Sequence, residues 1–105
     1  MFKTIFDISK STANKLFPVL ARNSKTMEEL GEFSEALLHK LGYLPHKTMK
    51  EPLEGEAADV IICVLDALAG AYPELSATQL TIMLEEQLEK KSKKWEALIN
   101  LRGNS

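Results

Sequence analysis

Hydrophobic positions recur at helical rather than strand spacing along nearly the whole chain. Phe2, Ile5, Phe6, Ala13, Leu16, Phe17 and Leu20 share one face of a 3.6-residue period, and Pro18 is expected to bend or end this first helix near Phe17. A second helix is predicted over 27–41, with Met27, Leu30, Ser34, Leu37, Leu38 and Leu41 on one stripe and Gly42 as its stop. A polar, proline-bounded connector fills the interval between Gly42 and Pro52. The third helix is predicted from Leu53 to Ala69, ending at Gly70. Beyond Asp59 it is apolar almost all round, the pattern of a helix covered on most sides. Ser76-Ala77-Thr78-Gln79 has the form of a capping box and opens a fourth helix to about Leu101, with Leu80, Leu84, Leu88, Lys91, Trp95 and Leu98 along one side.

No sustained apolar–polar alternation, no Asn-Gly or Asp-Gly hairpin and no internal repeat interrupts this pattern. The expectation is an all-α fold, one four-helix domain over residues 1–105. The third helix carries more apolar surface than three short partners easily cover. A homodimer, or a homotetramer built of dimers, is therefore expected.

Composition narrows the classes of partner. The chain is 45% hydrophobic and 27% charged, with a formal net charge of -2, so neither a nucleic-acid polymer nor a membrane surface is expected to bind it. No uninterrupted apolar stretch approaches the roughly 20 residues of a membrane span. The start also lacks a long apolar secretory segment, so the chain reads as cytoplasmic. Cys63 sits in Val60-Ile61-Ile62-Cys63-Val64-Leu65 and reads as a core thiol. With one cysteine and only His39 and His46, no zinc pattern exists.

The carboxylates are the candidate chemistry. Glu29 and Glu32 are three apart near the start of the second helix, and Glu56 and Asp59 are three apart in the third. Each pair therefore occupies one helical face. If the two helices pack antiparallel, four negative charges meet across the seam, and a hard, oxygen-preferring divalent cation relieves their repulsion. Facing helices of bundles build such sites from inward glutamates. The acidic run also reads as a solvated face, with Thr26-Met27-Glu28-Glu29 as a capping box that uses Glu29 for the backbone. Asp59 is harder to explain that way, because it leads directly into Val60-Ile61-Ile62. Asp66 is read as polar pairing or a subunit contact.

Glu29-Leu30-Gly31-Glu32, then 23 residues, then Glu56-Ala57-Ala58-Asp59 resembles the ExxE…ExxD signature of MazG-like nucleotide pyrophosphohydrolases. The resemblance runs over about residues 25 to 96. It implies a MazG-like bundle completed by oligomerisation, with Mg²⁺, or Mn²⁺ in its place, held by Glu29, Glu32, Glu56 and Asp59. It also implies hydrolysis of a nucleoside triphosphate to monophosphate and pyrophosphate. The family's Lys-Asn pair is replaced by Lys90-Lys91-Ser92-Lys93-Lys94-Trp95, without the asparagine. Lys91 and Lys94 are the preferred phosphate contacts, although lysines late in a helix also complement its dipole. Trp95 reads as core before base platform. Glu32, the most central acid of the second helix, is the expected proton acceptor. A phosphoribosyl-ATP pyrophosphohydrolase and a non-catalytic helical interaction protein stand as alternatives.

Overall fold

A computed structural model describes residues 1–13 and 19–103, with the side chains of 12 and 13 left aside. Among the described residues four α-helices follow one another: α1 (Phe2–Ile8), α2 (Val19–Lys40), α3 (Leu53–Ala71) and α4 (Ala77–Gly103). No strand occurs among the described residues. A π-helical turn, Ser9–Ala13, continues α1. Within the described residues the first helix expected from the sequence is α1 followed by this turn. Leu16, Phe17 and Pro18 lie outside the described residues, and Leu20 belongs to α2.

The second helix begins eight residues before the predicted Met27. Thr26 is therefore interior to α2, where its hydroxyl donates to Arg22 O at 2.9 Å and Cys63 O at 3.3 Å. The capping-box reading of Thr26 to Glu29 falls with it. At the other end Gly42 has φ +88, a left-handed conformation open to glycine at little cost. Tyr43 N donates to Leu38 O at 2.9 Å and Gly42 N to His39 O at 3.0 Å, which satisfies the last carbonyls.

The α2–α3 hairpin is the main packing unit. Arg22 meets Asp66, Thr26 meets Cys63 and Glu32 approaches Glu56, so numbers rise along one helix as they fall along the other. The two helices are antiparallel. Arg22 lies across α3, and a Cβ at Gly70 would collide with its guanidinium. Glycine there leaves room for the close approach of the Arg22 side chain.

The apolar core sits at the far end of α3. Phe6, Leu65, Ala69, Ala77 and Leu80 are buried together, with Phe2, Ile5, Leu68, Leu75 and Leu84 against them. This joins α1 to the end of α3 and the start of α4. Ser76 caps α4 reciprocally with Gln79: Gln79 N donates to Ser76 Oγ at 3.1 Å, and Ser76 N donates to Gln79 Oε1 at 2.8 Å.

The chain leaves much apolar surface open. Ile61, Ile62 and Val64 on α3 are each close to half exposed, so the expectation of a helix covered on most sides is not met within one chain. Every residue of α4 from Glu85 to Gly103 is exposed, and Trp95, read as core, is 68% exposed. The radius of gyration is 16.7 Å, against about 13 Å for a compact chain of about 100 residues.

Phe6 and Leu80 are the largest fully buried side chains. Phe6→Ala is expected to cost about 3–5 kcal/mol in urea unfolding, and Ser76→Ala about 1 kcal/mol. Equal losses for the two variants would contradict a core centred on Phe6.

Candidate metal centre

The antiparallel register decides which acids meet. Glu29 and Glu32 share a face of α2, and the hairpin sets Glu56 of α3 opposite them. One oxygen from each of Glu29, Glu32 and Glu56 falls within a span of 4.8 Å. Asp59 joins a different trio, with Glu56 and Glu51, on the same spacing. The four expected ligands thus form two overlapping groups that share Glu56, rather than one quartet. Glu51 precedes the helix and has no helical spacing to its partners, so the sequence reading missed it.

Glu29 is the deepest acid, its side chain 9% exposed. One oxygen receives the Lys25 ammonium at 2.9 Å. The other is buried and meets no hydrogen-bond donor, and the same holds for Oε2 of Glu56. Lys25 was also overlooked, although its i,i+4 spacing to Glu29 made the pair readable. Burying charged carboxylate oxygens without donors is unfavourable. These orphaned atoms fit an oxygen-coordinated divalent cation such as Mg²⁺.

The charges disturb one another in the expected directions. The hydrogen bond from Lys25 holds Glu29 below the ordinary carboxylate range and raises Lys25 in turn. The charge of Glu29 raises Glu32. Burial raises Glu56, with Glu32 and Asp59 adding to it. The charge of Asp59 raises Glu51.

Beside the acids lies an open cavity of about 820 Å³, lined by Ile5, Ile8, Arg22, Lys25, Ile62 and Asp66 among others. At its floor Ser9 Oγ donates to Asp66 Oδ1 at 2.5 Å, and Arg22 Nε stands 3.6 Å from Asp66 Oδ2. Of the two readings of Asp66, polar pairing or a subunit contact, the pairing is present within the chain. Cys63, read as core, is half-buried on the same cavity, and desolvation raises its thiol pKa.

Lys91 and Lys94 are exposed on α4, which packs against α1, and neither forms an ion pair with the acids among the described residues. In the connector, Lys47 is tied to Glu35 at 2.5 Å, and His39 Nδ1 lies 2.8 Å from Leu44 O.

Three acids with raised pKa values give the metal-free protein an unusual pH response. Through the window above the ordinary carboxylate range the folded chain binds more protons than the unfolded one, so stability falls as pH rises. Glu29, depressed, contributes the opposite sign, lost only in stronger acid. The melting temperature of chelator-treated protein should rise from pH 7 to about pH 5 and then fall. A steady loss of stability from pH 7 downward, followed by circular dichroism, would contradict the charge arrangement.

Comparison of the chain with protein-family models, with curated proteins and with solved structures gives no match in any of the three.

Proposed function

We propose that the protein is a Mg²⁺-dependent nucleoside triphosphate pyrophosphohydrolase, yielding the nucleoside monophosphate and pyrophosphate. The observation that carries this reading is the convergence of Glu29, Glu32 and Glu56, with one buried oxygen of Glu29 and one of Glu56 lacking any donor. The likeness of Glu29-x-x-Glu32 and Glu56-x-x-Asp59 to the MazG-like signature selects the reaction. Carboxylate number alone does not choose the bond.

Glu29, Glu32 and Glu56 would hold the cation, with Asp59 next to Glu56 as the fourth acid of the signature. When bound, it neutralises phosphate charge and polarises a phosphoryl oxygen. Glu32 is exposed at the rim, and the charge of Glu29 strengthens its hold on a proton. It is thereby suited to accept the proton of the water that attacks the α-phosphorus, with pyrophosphate as leaving group. Lys25 links the acids to the cavity, since it lines the cavity and pairs with Glu29. The cavity's volume lies in the range of small-molecule sites and leaves room for a nucleoside beside the triphosphate. Lys91 and Lys94 stay candidate phosphate contacts only from a different molecule or after movement of α4.

Glu56→Gln should remove Mg²⁺-dependent turnover while circular dichroism shows the helical fold intact. In ¹⁸O-labelled water the label should enter the nucleoside monophosphate. Label confined to pyrophosphate would mean attack at the β-phosphorus, and release of orthophosphate with the diphosphate would reject the pyrophosphohydrolase reading. Failure of the folded wild type to turn over any of a nucleotide panel would favour the non-catalytic alternative.

The same proposal includes a homo-oligomer, dimer or tetramer, because the exposed α3 face and the outer half of α4 leave apolar side chains without cover in one chain. Sedimentation at micromolar concentration should give at least a dimer. A stable monomer would contradict it.

A further inference from the structure

Among the described residues nothing covers α4 beyond the core: every residue from Glu85 to Gly103 is exposed. At 1.5 Å per residue this stretch is about 28 Å long, and single helices of that order are marginal in water without a packed face. Its two sides differ. Leu84, Leu88, Lys91, Trp95, Leu98 and Arg102 follow one another at alternating spacings of four and three, the repeat of a seam that meets another helix along its length. On it Leu88 and Leu98 are close to half exposed and Trp95 more so. The opposite side is finished for water: Lys93 pairs with Glu89 at 3.1 Å, and Glu86 and Lys90 have the same i,i+4 order.

Lys91 and Arg102 are the charged positions of this seam, and they decide which way round a second copy fits. A parallel copy sets Lys91 against Lys91 and Arg102 against Arg102, like charges facing each other where water is excluded. In an antiparallel copy with the seams in register, Leu88 meets the partner's Leu98 and Lys91 meets the partner's Trp95. Each pair occurs twice about a two-fold axis level with Lys93. The Lys91 cation then lies against an indole face, the aromatic surface that attracts it most, and the indole is withdrawn from water. Arg102 falls level with the partner's Leu84 and Glu85, where the carboxylate offers an opposite charge. The lysine that interrupts the stripe in one chain is thereby matched across two.

We infer that the outer half of α4 is a self-pairing element: two copies of the chain join through antiparallel α4 helices along Leu84 to Arg102, closed at the centre by two reciprocal Lys91–Trp95 contacts. The inference rests on the homo-oligomer proposed above, assigns it a surface and a polarity, and is independent of the metal site. It makes Lys91 an interface residue. Lys94, which lies off the seam, is then the lysine of the two left to meet phosphate.

Trp95 is the chain's one tryptophan, so its fluorescence reports the pairing directly. As the full chain is concentrated, its emission should move to shorter wavelength in step with the mass found by sedimentation. Leu98→Asp should raise the dissociation constant by on the order of a hundredfold or more. Asn100→Asp, on the solvent side, should leave it within about twofold. Polarity is read by crosslinking in a Cys63→Ala background, with each variant verified as helical by circular dichroism. Oxidising a mixture of Leu88→Cys and Leu98→Cys chains should give a disulfide only between unlike chains. Crosslinking of Leu88→Cys chains with one another would show parallel pairing and overturn the inference. So would a dimer that forms no crosslink in the mixture or that Leu98→Asp leaves intact, which places the contact on another face and leaves the oligomer reading standing. A monomer at every concentration would overturn both.

Discussion

The side chain of Arg22, with 2% of its surface in solvent, lies across α3 where Asp66 and Gly70 receive it, and this fixes how α2 and α3 slide against each other. Its Nη1 donates to Asp66 O at 3.3 Å, while Ser9 brings the π turn to the same carboxylate. Removing one partner of a buried charged pair typically costs about 3–5 kcal/mol, so a slip of one turn, which would set the guanidinium against Ile62, is strongly disfavoured. The register so fixed is also what sets Glu32 opposite Glu56. A polar lock at one end of the hairpin therefore determines the acidic cluster at the other. The acidic cluster depends on a contact that includes none of its members.

That dependence explains what could be read in the sequence and what could not. The capping box at Ser76 and the stop at Gly42 were legible because each is a local signal, complete within a few residues. The start of α2 was not. Its first two turns, Val19 to Thr26, are held by Arg22 and Thr26 through polar contacts to α3, which hydrophobic periodicity does not register. Trp95 failed for the complementary reason. It belongs to a regular apolar stripe, but the stripe has no partner within the chain. Of the acids, spacing correctly put Glu29 with Glu32 and both near Glu56. The division that sends Asp59 to Glu51 depends on tertiary register and on the turn at Pro52, neither of which spacing contains.

Helix α3 carries two demands that conflict in a lone chain. Its first turns bear Glu54, Glu56 and Asp59, and its middle bears Ile61, Ile62 and Val64 with about half of each side chain exposed. The acidic end is costly to bury unpaired, whereas the apolar middle gains by being covered. Placing the acids in the first turns and the apolar run after them separates these demands along one helix. Cover over the middle need not close the acidic end.

The acidic end also has to hold together before any cation arrives. Glu51 and Glu56 carry raised proton affinities because neighbouring carboxylates and burial oppose their ionisation. Three features bear on that opposition without a metal ion. Lys25 neutralises part of the charge of Glu29, the raised groups retain protons more readily, and the N-terminus of α3 presents the positive end of its dipole to Glu51, Glu54 and Glu56. The dipole favours the charged form and repulsion opposes it. A divalent cation entering the cluster competes with one exposed lysine. It does not have to break a closed set of hydrogen bonds, because the innermost oxygens of Glu29 and Glu56 have none to lose. The features that make the empty cluster costly are thus the ones that leave it receptive.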